Sequence, residues 1–358
     1  MNTIFNAPIN RIYGTMFKAK KVCFTSSRGC GKMVENGGAG MPKQKNEQIC
    51  AVLMQMNLSL GEDLTIEAYL HEEDQQPYEV YEITDGERKF VLKKAKEYEA
   101  EVYCTFFQDA PSYVPKIYGK TQYGDAIYIL MEHIAGENLQ KCTREKLKLT
   151  LDALIAMQEE YWGSDLTQKG YPFEASRKKR KNRGEYLNDS VLQEAYIRFL
   201  EVYDKTPKTL CNDDFLPFQV IVSEDRAVMI DWEVGGILPY PTSLARLIAH
   251  GQENPESLFY LSQTDREFAI QYYYDHLISE KGIAYEEFRQ TLDYFLFYEY
   301  CEWVYVGNRY EATDGDYFQH YFPLAKQAAE KLIRRGSNEQ SVHCALRGLF
   351  AGQLHQSD

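Results

Sequence analysis

Residues Leu210–Glu233, LCNDDFLPFQVIVSEDRAVMIDWE, constrain this chain more than any other stretch. Two short apolar runs, Gln219–Val222 and Ala227–Ile230, flank the polar turn Ser223–Arg226, which is the pattern of a tight β-hairpin. If Val222 pairs with Ala227, antiparallel register puts Gln219 opposite Ile230, one residue from Asp231. Opposed Cα atoms in such a ladder lie about 4.5–5.5 Å apart. Two oxygen-bearing side chains at the open end of one hairpin can therefore share a hard cation such as Mg²⁺. Asp214 stands just before the hairpin, in a loop held by Pro217, where a carboxylate can take the proton of an attacking hydroxyl. Taken alone, Asp213-Asp214 also reads as a turn or helix cap, and Asp231 as a strand end.

The rest of the chain narrows the classes. At 358 residues and 44% hydrophobic content it has material for two domains with a buried core. No apolar run approaches the roughly 18 residues that span a bilayer, and the amino terminus lacks a signal-peptide pattern, so no membrane partner is expected. The eight cysteines (Cys23, Cys30, Cys50, Cys104, Cys142, Cys211, Cys301, Cys344) contain no C-x-x-C pair. That spacing fits neither a zinc ribbon nor a disulfide framework, and reduced thiols imply a cytoplasmic location. The net charge is −13 even though residues 1–50 carry eight Lys/Arg against two Glu. An acidic body disfavours nucleic acid as a partner, because phosphates need a cationic surface. It suits a cationic small substrate, and equally a plainly solvated surface.

Along the chain, residues 1–45 show no hydrophobic period and read as a flexible basic arm. Ser27–Lys32 (SRGCGK) lacks the first glycine of a phosphate loop, with Ser26 in its place. Residues 46–135 read as a small β-rich lobe. Thr65–Leu70 alternates, Pro77–Thr84 and Lys89–Lys94 flank the hairpin signal Asp85-Gly86, Glu97–Phe107 is helical, and Ala126–Met131 is a buried strand. Residues 136–358 read as a larger, mainly helical lobe. Its helices are marked by Leu147, Leu151, Leu154 and Ile155, by a capping box at Thr264-x-x-Glu267 closed at Gly282, by Tyr285–Val306, and by Asp316–Arg334 with Gly336 as cap. The basic run Ser176–Arg183 reads as a solvated helix face or loop.

The order of these pieces resembles the aminoglycoside phosphotransferase and choline kinase family of small-molecule kinases. Its members share a loop His-Gly-Asp-x-x-x-x-Asn, a short hairpin, then Ile-Asp-Trp/Phe-Glu. The resemblance implies an α+β, two-lobed protein-kinase-like fold, a nucleotide cofactor (ATP or GTP) with Mg²⁺, and transfer of phosphate to a hydroxyl. On this pattern Asp214 is the catalytic Asp, Gln219 and Asp231 are metal ligands, and Asn212 supports the loop in place of the family's His. Phe90-Val-Leu-Lys93 resembles the strand whose lysine holds the nucleotide phosphates, with Lys94 as its rival, and Glu99 resembles the helix Glu that orients that lysine. Glu132 resembles the hinge beside the base. Ser243-Leu-Ala-Arg-Leu-Ile-Ala-His250 resembles the family's Asp-Leu-Ala helix start. Asp213, Gln219 and Ser243 stand where the family has Gly, Asn and Asp, and Gln158 where it often has His. These departures keep open an alternative, a catalytically impaired nucleotide-binding or regulatory protein of the same fold. A protein kinase is disfavoured, since no G-x-G-x-x-G loop, D-F-G or A-P-E motif is present.

The acceptor side is expected on the carboxy-terminal helices. Glu299 and Glu302 share one face of Tyr285–Val306 beside Trp303, and carboxylates next to aromatics can hold an amine. Core aromatics with solvated glutamates are the competing reading. Aminoglycoside-, choline- and sugar-like acceptors all fit, and the oligomeric state is not legible.

Overall fold

A strand with an apolar face must bury it, and the first half of the chain does so on a single helix. The computed structural model describes residues 25–27, 43–61, 63–70, 77–166, 173–257 and 259–353. Within them, six strands form one antiparallel sheet: β1 (Thr25–Ser27), β2 (Asp63–Leu70), β3 (Pro77–Asp85), β4 (Arg88–Ala95), β5 (Ile117–Tyr123) and β6 (Ala126–Glu132), in the order β1-β2-β3-β4-β6-β5. Helix α1 (Lys43–Gln55) lays Ile49, Val52 and Leu53 on one face, against Leu64 and Ile66 of β2, Tyr81 and Ile83 of β3, Leu92 of β4 and Leu130 of β6. The alternate positions point the other way. Lys93 is among them, and it meets α2 (Glu97–Phe106) there. The turn between β3 and β4 is Gly86-Glu87, closed by the pair Asp85↔Arg88. Gly86 has φ +60, which a residue with a Cβ adopts only at a cost.

The basic amino-terminal segment, including Ser27–Lys32, lies outside the described residues apart from 25–27 and 43–45. Thr25–Ser27, in a stretch with no strand pattern, pairs along the open edge of β2. Three residues are too few to carry a period, and the unpaired groups of an edge strand supply the partner.

A second, three-stranded sheet, β10-β9-β7, joins β7 (Glu137–Asn138) to the hairpin of β9 (Val220–Val222) and β10 (Ala227–Met229). Val222 pairs with Ala227, and Ile230 N donates to Gln219 O at 2.9 Å, which is the register expected from the two apolar runs. Gly136 lies so close to this hairpin that a Cβ would stand 2.4 Å from Val222 O.

The remaining strands, β8 (Lys208–Asn212) and β11 (Gly235–Pro239), pair antiparallel, with Asn212 opposite Gly235. Neither shows an alternating pattern, because both are buried on nearly every residue. The helices are α3 (Arg144–Glu160), α4 (Phe173–Gly184), α5 (Ser190–Lys205), α6 (Pro241–Ala249), α7 (Gln263–Tyr273), α8 (Tyr285–Tyr310) and α9 (Asp316–Gln353). The fold is thus α+β. Two helix ends differ from expectation. Ser262, not Thr264, caps α7, accepting from Asp265 N at 3.0 Å. Helix α9 runs on through Gly336, since one interior glycine costs only about 1 kcal/mol relative to Ala. Gly282, φ +74, does stop the preceding turn.

Packing groups the described residues into two compact units that are not contiguous in sequence. One holds residues up to Ala156 with Leu216–Val234, and the other holds the described parts of 157–215 and 235–358. The hairpin and residues 136–156 therefore group with the β-rich part, across the linear boundary expected at residue 135. Among the described residues no helix is long and apolar enough to cross a membrane. Among the described residues, Cys50, Cys104, Cys142, Cys211 and Cys301 form no disulfide.

Gly136→Ala is expected to lower stability by about 1–3 kcal/mol, the usual range for overpacking, because the obstacle is a backbone carbonyl that cannot step aside. The midpoint of urea unfolding checks this, and an unchanged midpoint contradicts the close approach.

Candidate functional site

In the β-rich unit the site is built around one lysine. Lys93 is buried, and its Nζ donates to Glu99 Oε1 at 2.8 Å and to Asp231 Oδ1 at 2.9 Å. Lys94 points the other way, half exposed and 3.8 Å from Glu79. Burial opposes charge on Lys93, but the adjacent carboxylates of Asp231 and Glu99 overcome it and hold the ammonium well above the usual lysine range. Burial and the nearby acids push the Glu99 carboxyl up, against the pull of Lys93. Its Oε2 is buried without a hydrogen-bond partner among the described residues.

Asp231 reaches this point through an unusual backbone. At φ +60 it lies in the left-handed region, where a residue with a Cβ pays roughly 1–2 kcal/mol. The following residue anchors the turn. Trp232 is fully buried, donates from Nε1 to Met229 O at 3.2 Å, and packs edge-on to Phe107 at 4.8 Å. Glu233 then pairs with Lys96. Ligand atoms of Glu99, Asp231 and Glu233 all lie within 4.8 Å of one another. Three carboxylates against two lysines, with an unsatisfied buried oxygen among them, make an all-oxygen donor set that a hard cation suits.

Gln219 and Glu132 are already engaged. Gln219 is buried, and its Oε1 accepts from Leu216 N at 3.3 Å, bracing the single turn Pro217–Gln219. A carbonyl oxygen has a second lone pair, so this bond does not by itself forbid a metal. Glu132 ends β6 opposite Phe90, with its carboxylate on Arg226 (2.6 Å) and on Lys116 N (3.2 Å). It acts as a strut at the strand end.

The helical unit holds the loop that β8 delivers. Asn212 is almost fully buried, and Ser243 Oγ both accepts from Asn212 N (2.9 Å) and donates to Asn212 O (3.0 Å). Asn212 Oδ1 accepts from Asp214 N at 3.0 Å. Asn212 therefore shapes the turn rather than presenting a free side chain. Behind it Gln158, fully buried, donates to Tyr240 O (3.1 Å) and accepts from Tyr273 OH (2.5 Å), a satisfied node of the core.

Asp214 is less buried than its neighbours, and its Oδ1 accepts from Arg246 Nη2 at 2.6 Å and Nε at 3.2 Å. Arg246 also donates to Glu299 Oε2 at 2.8 Å. His250 Nε2 lies 3.3 Å from the same oxygen, and its Nδ1 lies 2.9 Å from Tyr321 OH. Burial pushes the His250 imidazole down, toward the neutral form. Despite its own burial, Glu299 is held below the usual carboxylate range by Arg246 and His250. Glu299, expected to hold an amine, is only 2% exposed and instead carries the arginine that carries Asp214.

The basic run Ser176–Arg183 is helical with Arg177, Lys178 and Lys181 exposed, as expected of a solvated face, but its opposite face is the other correction. Arg180 is fully buried, donates from Nη2 to Asp213 Oδ1 at 2.5 Å, and lies over the rings of Tyr298 (4.4 Å) and Tyr203 (4.6 Å). Lys179 reaches Asp213 Oδ2 at 2.7 Å, and Arg183 pairs with Glu302 and with Tyr298 OH (3.0 Å). Trp303 lies flat on Tyr317, ring centroids 4.2 Å apart. The aromatic partners of Arg180 come from α5 and α8, so nothing near it in sequence announces its burial. Arg246 left a clearer trace, a lone cation in the otherwise apolar run Leu244–Ala249.

No protein-family model matches the chain, and no curated protein matches it either. Solved structures do. The chain is similar to an aminoglycoside phosphotransferase from Alicyclobacillus acidocaldarius, at 13% identity over 86% of this chain and 98% of that one, with a TM-score of 0.54. It is similar to a choline kinase from Cryptosporidium parvum, at 12% identity over 81% and 97%, with a TM-score of 0.53. A choline/ethanolamine kinase family protein from Mesorhizobium loti matches at 14% identity over 81% and 94%, with a TM-score of 0.52. At such identities the likeness is one of fold, and it agrees with the resemblance drawn from the Leu210–Glu233 segment.

Because the Arg180–Asp213 pair is fully buried, Arg180→Ala is expected to cost up to about 3 kcal/mol, with Lys179 left as the cation on Asp213. Arg180 and Lys179 hold the Asp213 carboxyl far below the usual range despite its burial. A carboxyl depressed in the folded state contributes stability above its unfolded pKa of about 4, and that contribution is lost as pH falls below it. Chemical denaturation at pH 7 and pH 3 should therefore show a smaller drop for Asp213→Asn than for the wild type.

Proposed function

We propose that this chain, which has the fold of aminoglycoside phosphotransferases and choline kinases, transfers the γ-phosphoryl group of ATP or GTP to a hydroxyl of a small molecule. The observation that carries the reading is Lys93, a buried ammonium held by Glu99 and Asp231 in the β-rich unit. Such a lysine is positioned to neutralise nucleotide phosphates, and its two carboxylates keep it charged and fixed. Asp231 and Glu233, with the oxygen of Gln219, would hold Mg²⁺. When bound, that ion supplies positive charge to the phosphates. The hinge after Glu132 would take the base.

On the acceptor side Asp214 is the base. Its carboxylate accepts the proton of the acceptor hydroxyl while the new O–P bond forms and the bond from the γ-phosphorus to the bridging oxygen breaks, releasing the nucleoside diphosphate. Arg246 keeps one carboxylate oxygen fixed, so Asp214 does not spend rotamer freedom at the moment of reaction. Asn212 and Ser243 hold the loop that carries it. A binding or regulatory protein of the same fold is the alternative, and the engagement of Gln219 with Leu216 N favours it.

Asp214→Asn separates the two. Base removal should lower nucleoside-diphosphate release by about 10²–10⁴, with nucleotide affinity within about threefold of wild type. Retention of most turnover in the purified variant removes Asp214 from this role. Lys93→Ala, and not Lys94→Ala, should weaken nucleotide binding in calorimetric titration, because alternation sends only Lys93 toward α2. Equal effects of the two substitutions overturn the assignment.

A further inference from the structure

The role proposed for Asp214 requires an acceptor hydroxyl within hydrogen-bond reach of that carboxylate, so the charges around Asp214 decide what kind of molecule can present one. Among the described residues, Asp213, Asp214, Glu299 and Glu302 are each already ion-paired. Asp213 is shared by Arg180 (2.5 Å) and Lys179 (2.7 Å), and Asp214 is held by Arg246 (2.6 Å). Glu299 is held by the same Arg246 (2.8 Å), and Glu302 by Arg183. Four carboxylates thus face four cations, and His250, pushed toward neutrality by burial, adds nothing.

The aromatic rings are occupied in the same way. Arg180 lies 4.4 Å from the ring centre of Tyr298, and Phe199 stacks on that ring at 4.9 Å. Arg183 and Arg309 lie over Tyr305 at 5.3 and 5.6 Å. Trp303 is stacked on Tyr317 and, at 5.9 Å, on Tyr321. A cage for an ammonium needs ring faces and an uncompensated carboxylate, and here the protein's own guanidinium groups pair the carboxylates and cover Tyr298 and Tyr305, while Trp303 is stacked on other rings. A cationic acceptor would have to displace an arginine from a buried carboxylate, leaving a buried charge without a partner.

We propose that the acceptor is an uncharged polyhydroxy compound, a sugar or cyclitol, and not an aminoglycoside or a quaternary amine. This rests on the phosphotransferase reading and names the substrate class of the same site. Paired ions can each make a hydrogen bond with a hydroxyl without parting, the ammonium donating and the carboxylate accepting, and Lys179 and Asp214 are the partly exposed members of their pairs.

The test uses the full chain with ATP or GTP and Mg²⁺, measuring nucleoside-diphosphate release with ribose, glucose and myo-inositol, and with choline, ethanolamine and kanamycin. The expected result is a kcat/KM for at least one neutral polyol about tenfold or more above that of every cationic acceptor. Its KM should change less than about twofold between roughly 0.05 and 0.5 M salt, because no charge is being recognised. Preference for a cationic acceptor overturns the inference and leaves the phosphotransferase reading intact. No release with any of the six, together with no calorimetric binding of ATP or GTP, removes that reading and the inference with it. A measurement independent of turnover is Arg183→Ala, which takes the cation from Glu302 and one of the two guanidinium groups from over the ring of Tyr305. The variant should gain calorimetric binding of tetramethylammonium that the wild type lacks, and equal binding by the wild type overturns the inference.

Discussion

A buried ammonium cannot stand without compensation, and Lys93 is compensated twice, by Glu99 six residues away and by Asp231 from the far side of the chain. These two hydrogen bonds from one nitrogen tie β4 to α2 and to the turn after β10. The left-handed backbone of Asp231 persists because Lys93 holds its carboxylate while the buried ring of Trp232 holds the residue that follows. The hairpin, the single turn at Pro217–Gln219 and the close passage of Gly136 past Val222 all serve to bring Asp231 to that place.

The helical unit solves a similar problem differently. Where the β-rich unit leaves carboxylates in excess around two lysines, the helical unit balances them with Lys179, Arg180, Arg183 and Arg246. The difference is chemical as well as numerical. The nucleotide and cation proposed for the β-rich unit would draw on its excess of carboxylates, whereas the neutral acceptor proposed for the helical unit would need donors and acceptors whose charges are already spent. Asp213 shows how a departure from the family pattern is absorbed. A carboxylate in place of glycine is tolerated because α4 supplies a buried arginine for it.

Asn212, Ser243 and Gln158 show the same thing without charge. Each differs from the residue the resemblance would place there, and each is fully hydrogen-bonded in its own way. Ser243 grips both the N–H and the C=O of Asn212, so the loop is fixed through its backbone as well as through the Asn212 side chain.

By itself the sequence determined what is local. The register of Val222 on Ala227, the placing of Lys93 and Lys94 on opposite faces of one strand and the helical character of Tyr285–Val306 follow from periods of two and 3.6 residues, which neighbours in the chain carry between them. The pairing of β8 with β11 was not legible, because strands buried on both faces do not alternate. Nor were the burial of Arg180, the hold of Arg246 on Asp214 and Glu299, or the place of Glu233 beside Glu99 and Asp231. A salt bridge depends on distance in space, and Arg180 finds its partners 23, 33 and 118 residues away. Only the tertiary structure decides which charges meet, and so which remain to recognise a ligand.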